Sequence, residues 1–413
     1  MTQSRISTGE VGPLVDRLFR HEAGRMTAYF VRHLGPAHVD QAEDIVQEAL
    51  FRALKTWPFK GVPDHARAWL WRVARNVATD RFRQYRPTDP LEDVDAATEP
   101  LPPSRLHDAE LDLLFLCADP DLRRDAAIPL TLKLACGFGT AEIAGALSVP
   151  EATIRQRIVR AKKRWRTDQP SLDLDAAQIG TRIDGVMNVI YLMLNEGYGG
   201  HHPDHWQRAE LCREAARLAE LLAMHERTER RDAAALAALC LFQLARLPAR
   251  LDGEGDIILM EDQDRTLWDG ALTARAFRWL RVAGKGNDLS TYHLLAGIAA
   301  AHAAAPDYAG TDWPQVRRYY DLLLERDPSS PFHVLNRAVA VAETDGSASA
   351  LETIEGLSRN PLLGRSYLLP ATRAWLLARA GQRAEAKRDL IRAVDLAPSP
   401  QLRRQLQRRL ETM

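Results

Sequence analysis

The chain has 413 residues, 46% of them hydrophobic, which is enough apolar surface for two or three domains with real cores and too much for a disordered chain. Its formal charge balances at zero, with 55 Lys and Arg against 55 Asp and Glu; this excludes a uniformly basic nucleic-acid coat and leaves only local basic surfaces offset by acidic ones. Cys117, Cys136, Cys212 and Cys240 are far apart and form no CxxC pair, so neither a disulfide framework nor a zinc knuckle is suggested, and a reducing cytoplasm fits best.

The opening MTQSRISTGEVG lacks the apolar core of a signal peptide. The longest apolar runs, Ala233 to Phe242 and Leu294 to Ala301, are too short to span a bilayer, so a soluble cytoplasmic protein is expected. Ala, Leu and Arg dominate and helical spacing recurs throughout, which points to an all-α fold.

In chain order, Val15, Leu18, Phe19 and Met26 mark a helical segment closed by Gly35-Pro36. Asp40 to Trp57 reads as a second helix with Ile45, Val46, Ala49, Leu50, Ala53 and Leu54 inward and Asp44, Gln47 and Glu48 outward, ending at Pro58. The loop FKGVPD follows, and Asp64 is placed to cap the next helix. That helix, His65 to Tyr85, buries Leu70, Val73, Ala74 and Val77 and interleaves aromatic with basic residues elsewhere. Such a surface suits unstacked bases, with rings for stacking and Arg for the backbone. The other reading of Trp69 and Trp71 is simple packing against the neighbouring helix.

Arg86 to Pro103 is rich in Pro, Asp and Glu and reads as an acidic flexible linker. Beyond it, Ala109 to Phe115 and Ala126 to Ala135 supply two supporting helices for the stretch FGTAEIAGALSVPEATIRQRIVRAKKRWR. There Thr140 caps a short helix bearing Ile143, Ala144 and Leu147 on one face, Ser148 and Val149 interrupt it, and Pro150 suits the first turn of another helix. In this second helix Ile154, Ile158, Ala161 and Trp165 face the core. Thr153, Arg155, Gln156, Arg160 and Lys163 lie opposite, with Arg157, Lys162, Arg164 and Arg166 around them. A basic second helix after a tight turn is a helix-turn-helix: the helix fits the major groove, Arg and Gln present paired donors to base edges, and Lys and Arg neutralise phosphates.

After a second polar linker, TDQPSLDLD, helical segments continue to the end. NRAVAVAETDGSASALETIEGL and TRAWLLARAGQRAEAKRDLIRA superimpose with Gly346 thirty-five residues before Gly381, the period of a tetratricopeptide-like (TPR-like) helix pair. Tyr292 to Pro328 is a looser third unit with an insertion around Gly310 to Trp313. Stacked helix pairs make a curved surface suited to a peptide or another domain. Glu196, His201, His202, Asp204 and His205 in NEGYGGHHPDHW are metal-ligating types, but no helix-borne pair such as HExxH is present, so solvated loop histidines are expected and no metal or other cofactor is implied. GKGND at Gly284 to Asp288 lacks phosphate-loop spacing, and Asp262, Asp264 and Asp269 fit either a carboxylate cluster or, with Arg265 and Trp268 between them, a structural salt-bridged corner.

DQAEDIVQEALFRAL followed by AWLWRVARNVATDRFRQ resembles region 2 of bacterial sigma-70-family factors of the extracytoplasmic-function type, and the helix-turn-helix resembles their region 4. VMNVIYLMLNEGYGG, EDQDRTLWDGAL, TDWPQVRRYYDLL and LNRAVAVAETDG resemble, in order, the lineage with a long C-terminal helical extension of the DUF6596 type, so the likeness covers nearly the whole chain. The resemblance implies region 2 over 10–86, an acidic linker over 87–105, region 4 over 106–167, a linker over 168–184, a helical extension over 185–290 and TPR-like repeats over 291–413.

It also implies a factor that binds RNA polymerase core and directs promoter-specific initiation without being an enzyme. Asp44, Gln47 and Glu48 would grip the polymerase; Lys60, Arg67, Trp69, Arg72, Asn76, Thr79 and Arg83 would handle the minus-10 element; Thr153, Arg155, Gln156, Arg157, Arg160 and Lys163 would contact the minus-35 element. The extension would regulate the factor through a peptide, a protein or an intramolecular contact. The alternatives are a helix-turn-helix regulator with a helical-repeat sensor, working without the polymerase, and an enzyme centred on the Asn195 to His205 loop.

Overall fold

Apolar residues at helical spacing build every regular element in the computed structural model, which describes residues 22–85, 103–122, 124–147, 149–199, 208–228, 231–286 and 288–413. Among the described residues β geometry is confined to one antiparallel bridge, Leu251 to Ile257. The chain divides into two units, one up to Val189 and one from Ile190.

The first unit begins with α1 (residues 22–34), a short 3-10 turn (Pro36–His38), α2 (Val39–Lys60) and α3 (Ala66–Tyr85). Ile45, Val46, Ala49, Leu50, Ala53 and Trp57 are buried along α2 as the spacing requires, whereas Leu54, expected inward, is 47% exposed. Leu54 lies four residues from Leu50 but on the edge of the stripe shared with Phe51, so it rotates out to solvent. The helix does not stop at Pro58. Proline forfeits only the bond its own N–H would make, the Gly61 N–H still reaches the Trp57 carbonyl at 2.9 Å, and the chain turns away at Gly61, where φ is 82°. The next helix starts at Ala66, two residues beyond Asp64.

Four further helices follow: α4 (Pro103–Cys117), α5 (Arg124–Leu134), α6 (Thr140–Leu147) and α7 (Glu151–Asp168). The described chain resumes in helix at Pro103, inside the stretch expected as linker. The α1–α3 group and the α4–α7 group are bound by charge: Arg25 pairs with Glu110 at 3.4 Å, Arg32 with Asp112, and both carboxylates are buried. At the same seam the backbone of Gly24 lies against the Ala135 carbonyl.

Helix α8 (Ala176–Gly199) starts within 168–184, where linker was expected. The signal was local: Asp175 Oδ1 accepts the Gln178 N–H at 2.8 Å while Gln178 Oε1 accepts the Asp175 N–H at 2.9 Å, a reciprocal cap written in the sequence as DAAQ. Arg182 then pairs with Asp119 at 2.6 Å.

The second unit contains α9 (Ala209–Met224), α10 (Arg231–Arg246) and α11 (Gly270–Ala283), followed by an array of α12 (Thr291–Ala304), α13 (Trp313–Arg326), α14 (Pro331–Thr344), α15 (Ser347–Ile354), α16 (Leu368–Arg379), α17 (Arg383–Asp395) and α18 (Pro400–Thr412). Successive helices from α12 to α18 pack on one another. The α14–α15 and α16–α17 pairs both turn at a glycine with positive φ, Gly346 at 92° and Gly381 at 80°, a conformation that costs other residues a Cβ clash. Here α12 and α13 form the third pair, with the insertion as their connection. Arg231–Ala249 is apolar and long enough to cross a membrane, longer than the Ala233 to Phe242 run suggested, but 72% of it is buried inside the protein.

Candidate nucleic-acid interface

Helix α7 is fixed by its core face. Ile154, Ile158, Ala161 and Trp165 are all buried, so the register of α7 is set and the opposite side must face outward. Pro150 stands at the N-cap, one residue earlier than the first helical turn, and its carbonyl accepts the N–H groups of Thr153 and Ile154. Thr140 is the first residue of α6; its hydroxyl donates to Glu151 at 3.0 Å, linking the two helices, while the Glu142 carboxylate takes the Gly139 N–H. Ser148 lies outside the described residues.

On the outer face Gln156, Arg160 and Lys163 are exposed and Thr153 is half-buried. Among the described residues neither Arg160 nor Lys163 has an ion pair. Arg155 is held by Glu151 at 3.1 Å and Arg157 by Asp125 at 3.5 Å; Arg164 reaches both Asp121, at 3.4 Å, and Asp168, at 2.8 Å. The Arg155 and Arg164 pairs lie at the surface and are therefore weak, while the Arg157–Asp125 pair is half-buried. A groove lined by Leu122, Ala126, Thr153, Gln156 and Arg160 runs along this face.

Lys162, grouped by sequence with the flanking basic residues, is instead buried and turned toward α2, where Asp40 receives it at 3.0 Å and Glu43 is also bound. Arg166 adds a contact to Asp40 at 3.3 Å. The back of α7 is thus braced by the first turns of α2.

In α3, Trp69, Arg72, Asn76 and Thr79 recur at spacings of three, four and three along one side, with Arg72 and Asn76 exposed. The Thr79 hydroxyl is engaged with the Arg75 carbonyl. Arg83 continues the row along the helix, but its side chain lies outside the described residues. Arg67 does not join them: it lies across the helix and pairs with Glu22 at 3.0 Å. The two tryptophans separate. Trp71 is a core residue whose Nε1 donates to Glu22, while Trp69 stays partly open and rests on Trp57, ring centres 5.4 Å apart. Lys60 is exposed at the end of α2 beside Phe59, which is 89% exposed.

Asp44, Gln47 and Glu48 lie on the open side of α2, with Asp44 near Arg81 at 3.5 Å and Glu48 held by Arg52 at 2.8 Å. Phe51 and Leu54, 49% and 47% exposed, extend this strip, and sequence reading missed both. The spacing from Asp44 through Gln47 and Phe51 to Leu54 is helical and was the available signal.

No cluster of three or more His, Cys, Asp or Glu suited to a metal occurs among the described residues, and His201, His202, Asp204 and His205 lie outside them. None of the four cysteines is in a disulfide, all are buried, and burial pushes the Cys117 and Cys212 thiols up to about 12, which disfavours the thiolate.

Comparison with known proteins follows the same division. Sigma-70 region 2 matches residues 18–88, sigma-70 region 4 matches residues 121–164, and residues 182–284 match a family of unknown function, DUF6596. An uncharacterized protein, R00370, of Rhizobium meliloti is 36% identical over 371 residues, 87% of each chain. The ECF RNA polymerase sigma factor SigL of Mycobacterium tuberculosis is 31% identical over 156 residues, 37% of this chain and 87% of its own. SigW of Bacillus subtilis, also named an ECF RNA polymerase sigma factor, is 29% identical over 150 residues, 33% of this chain and 78% of its own. No solved structure gives a significant match. With both promoter-reading regions present in order and a relative of this kind covered over most of its length, the chain belongs to the extracytoplasmic-function group of the sigma-70 family, and carries a DUF6596 extension.

Proposed function

We propose that this sigma factor, which recruits RNA polymerase core and directs promoter-specific initiation, docks α7 in the minus-35 major groove and uses α3 with the end of α2 and the Gly61 to Asp64 connection at the minus-10 element. The polymerase performs the chemistry. The observation that carries the reading is the outer face of α7, where Gln156, Arg160 and Lys163 stand exposed and the two cations have no ion pair among the described residues. Arg160 and Gln156 are chemically suited to base edges, and Lys163 and Arg155 to phosphates. At the minus-10 element Arg72 and Asn76 offer donors along one helix side, while Trp69 and Phe59 offer rings for unstacked bases. The strip of Asp44, Gln47, Glu48, Phe51 and Leu54 combines acceptors with apolar surface and is the proposed contact for core polymerase.

The extension from Ile190 onward is assigned to regulation, on the ground that a stacked array of helix pairs offers binding surface that promoter reading does not need. Deletions should begin there and not at Thr167, because Arg182 and Gly185 of α8 pack on Asp119 and Ala118.

Run-off transcription with core polymerase on the promoter upstream of its own gene tests the reading. A discrete new transcript is expected, with Arg160→Ala weakening minus-35 docking, Asn76→Ala weakening opening, and Asp44→Ala with Phe51→Ala weakening core binding. Absence of both transcript and core binding would overturn it in favour of a polymerase-independent regulator. Unchanged polymerase affinity and output after removal of 190–413 would end the regulatory assignment.

A further inference from the structure

The extension holds a group of arginines that form no ion pair with its carboxylates among the described residues. Arg246, at the end of α10, donates to the Tyr198 hydroxyl at 2.8 Å and to the Gln263 side-chain oxygen at 2.6 Å. Arg250, four residues on and buried, lies 3.6 Å from the centre of the Tyr198 ring and donates to the Tyr198 carbonyl. Arg265 donates to the carbonyls of His302 and Ala305 and to the Thr311 hydroxyl. Trp268 sits between two of them, its ring centre 5.7 Å from the Arg246 guanidinium and 5.0 Å from that of Arg265.

Every hydrogen-bond partner of these three guanidiniums is neutral, and among the described residues none of the three has an ion pair. Asp307 lies near enough to favour the charge of Arg265 but makes no ion pair with it and takes the Gly310 N–H, while Glu343 is committed to Tyr308 and Arg379 and Glu261 to Trp375. Proteins seldom remove cations from water without a counter-charge, because desolvation then goes uncompensated.

Four buried polar atoms beside the arginines have no hydrogen-bond partner: Arg265 Nε, Trp268 Nε1, His302 Nδ1 and Trp313 Nε1. His302 and Trp313 are only 9% and 7% exposed, and their rings meet edge to face at 5.3 Å. Native proteins satisfy nearly all such atoms, so four orphans in one neighbourhood are an observation to be explained. Burial, then the charges of Arg246 and Arg265, hold His302 down to about 3, so its ring is neutral and adds no further cation. Three of the orphans can only donate, which means that what they lack is an acceptor. Arg265 and Trp268 are both partly exposed, so the cluster reaches the surface.

We propose that this cluster is a binding site for a small oxyanion, a molecule presenting carboxylate or phosphate oxygens, with Arg246 and Arg265 supplying charge and the indole N–H groups of Trp268 and Trp313 supplying neutral donors. Guanidinium forks match both kinds of oxyanion, and the edge-to-face rings provide apolar surface for whatever the anion is attached to. The site lies wholly within the second unit and stands independently of how the promoter is read.

Isothermal titration calorimetry on the full chain, at constant ionic strength with chloride as the blank, tests it with two probes, inorganic phosphate and citrate. Saturable one-to-one binding of either is the expected result: phosphate alone identifies a phosphate-bearing ligand, citrate alone a carboxylate-bearing one, and both the shared chemistry. Arg265→Gln should weaken binding about tenfold or more, the loss of one charge-assisted contact. Trp268→Phe keeps the ring and removes only the N–H, so it should weaken binding several-fold with unchanged helical circular dichroism; if Arg265→Gln fails to fold, Trp268→Phe decides. No saturation by either probe up to about 10 mM, the limit of weak but specific affinity, overturns the proposal. So does wild-type affinity in the folded variants.

Discussion

Lys162 in the promoter-reading unit and Arg246 in the extension are both cations drawn out of water, and the chain treats them in opposite ways. Lys162 meets Asp40 and Glu43, with Arg166 and Lys133 completing a network of alternating charge. Burial works against its proton, yet the two carboxylates outweigh burial and raise its pKa above the ordinary 10.5. Arg246 has only neutral partners, and burial, reinforced by Arg250 and Arg265, lowers its pKa. The first arrangement is a brace that positions α7 on α2. The second is a charge that the protein alone leaves unanswered. The difference teaches that a buried cation reads as structure when its counter-charge is in the chain, and as a site when it is not.

The comparison can be broken most severely at the seam that brings the paired charges together. A Cβ at Gly24 would stand 1.9 Å from the Ala135 carbonyl oxygen, so Gly24→Ala must push α1 away and separate Arg25 from Glu110. A loss of about 3 kcal/mol is expected in urea denaturation followed by circular dichroism. Lys162→Met is next: it leaves Glu43 without its main partner, and because Asp40 is half-exposed the cost should be about 2 kcal/mol, below that of a fully buried pair.

A pH series sharpens the contrast from the extension's side. His302 titrates at about 3 when folded against 6.5 unfolded, so the unfolded chain binds the extra proton between these values. Stability from this group is complete above pH 6.5 and falls as the pH drops toward 3, by about 2 kcal/mol between pH 6.5 and 5. His302→Asn should flatten that part of the profile. The smallest effect belongs to Arg246→Met, which surrenders hydrogen bonds to Tyr198 and Gln263 but relieves repulsion from Arg250 and Arg265. Its change in stability without ligand should stay within about 1 kcal/mol, in either direction. A loss as large as that of Lys162→Met would show that both clusters are structural braces.

Much of the fold was legible because its signals are local. Ile154, Ile158, Ala161 and Trp165 announced the buried side of α7, and the thirty-five-residue offset of Gly346 and Gly381 announced the two clear helix pairs. What was legible of the candidate site is exposure on a helix face, as for Gln156, Arg160 and Asn76. It was not legible for Arg67, Leu54 or the stop at Pro58. Each of these depends on what a neighbouring element offers: Glu22 from α1, the open edge of α2, and a Gly61 N–H that closes the last turn.

By itself, then, the sequence determined most of the helices, the two glycine-turned helix pairs and the family, since periodicity, caps and motif order are properties of near neighbours along the chain. Only the tertiary structure decided which charges are answered. Lys162 finds Asp40 122 positions away, while His302, Trp313 and Trp268 gather around Arg265 with their donors unmatched. Which side chains share a dry environment is set by packing between distant segments, and no period in the sequence encodes that proximity.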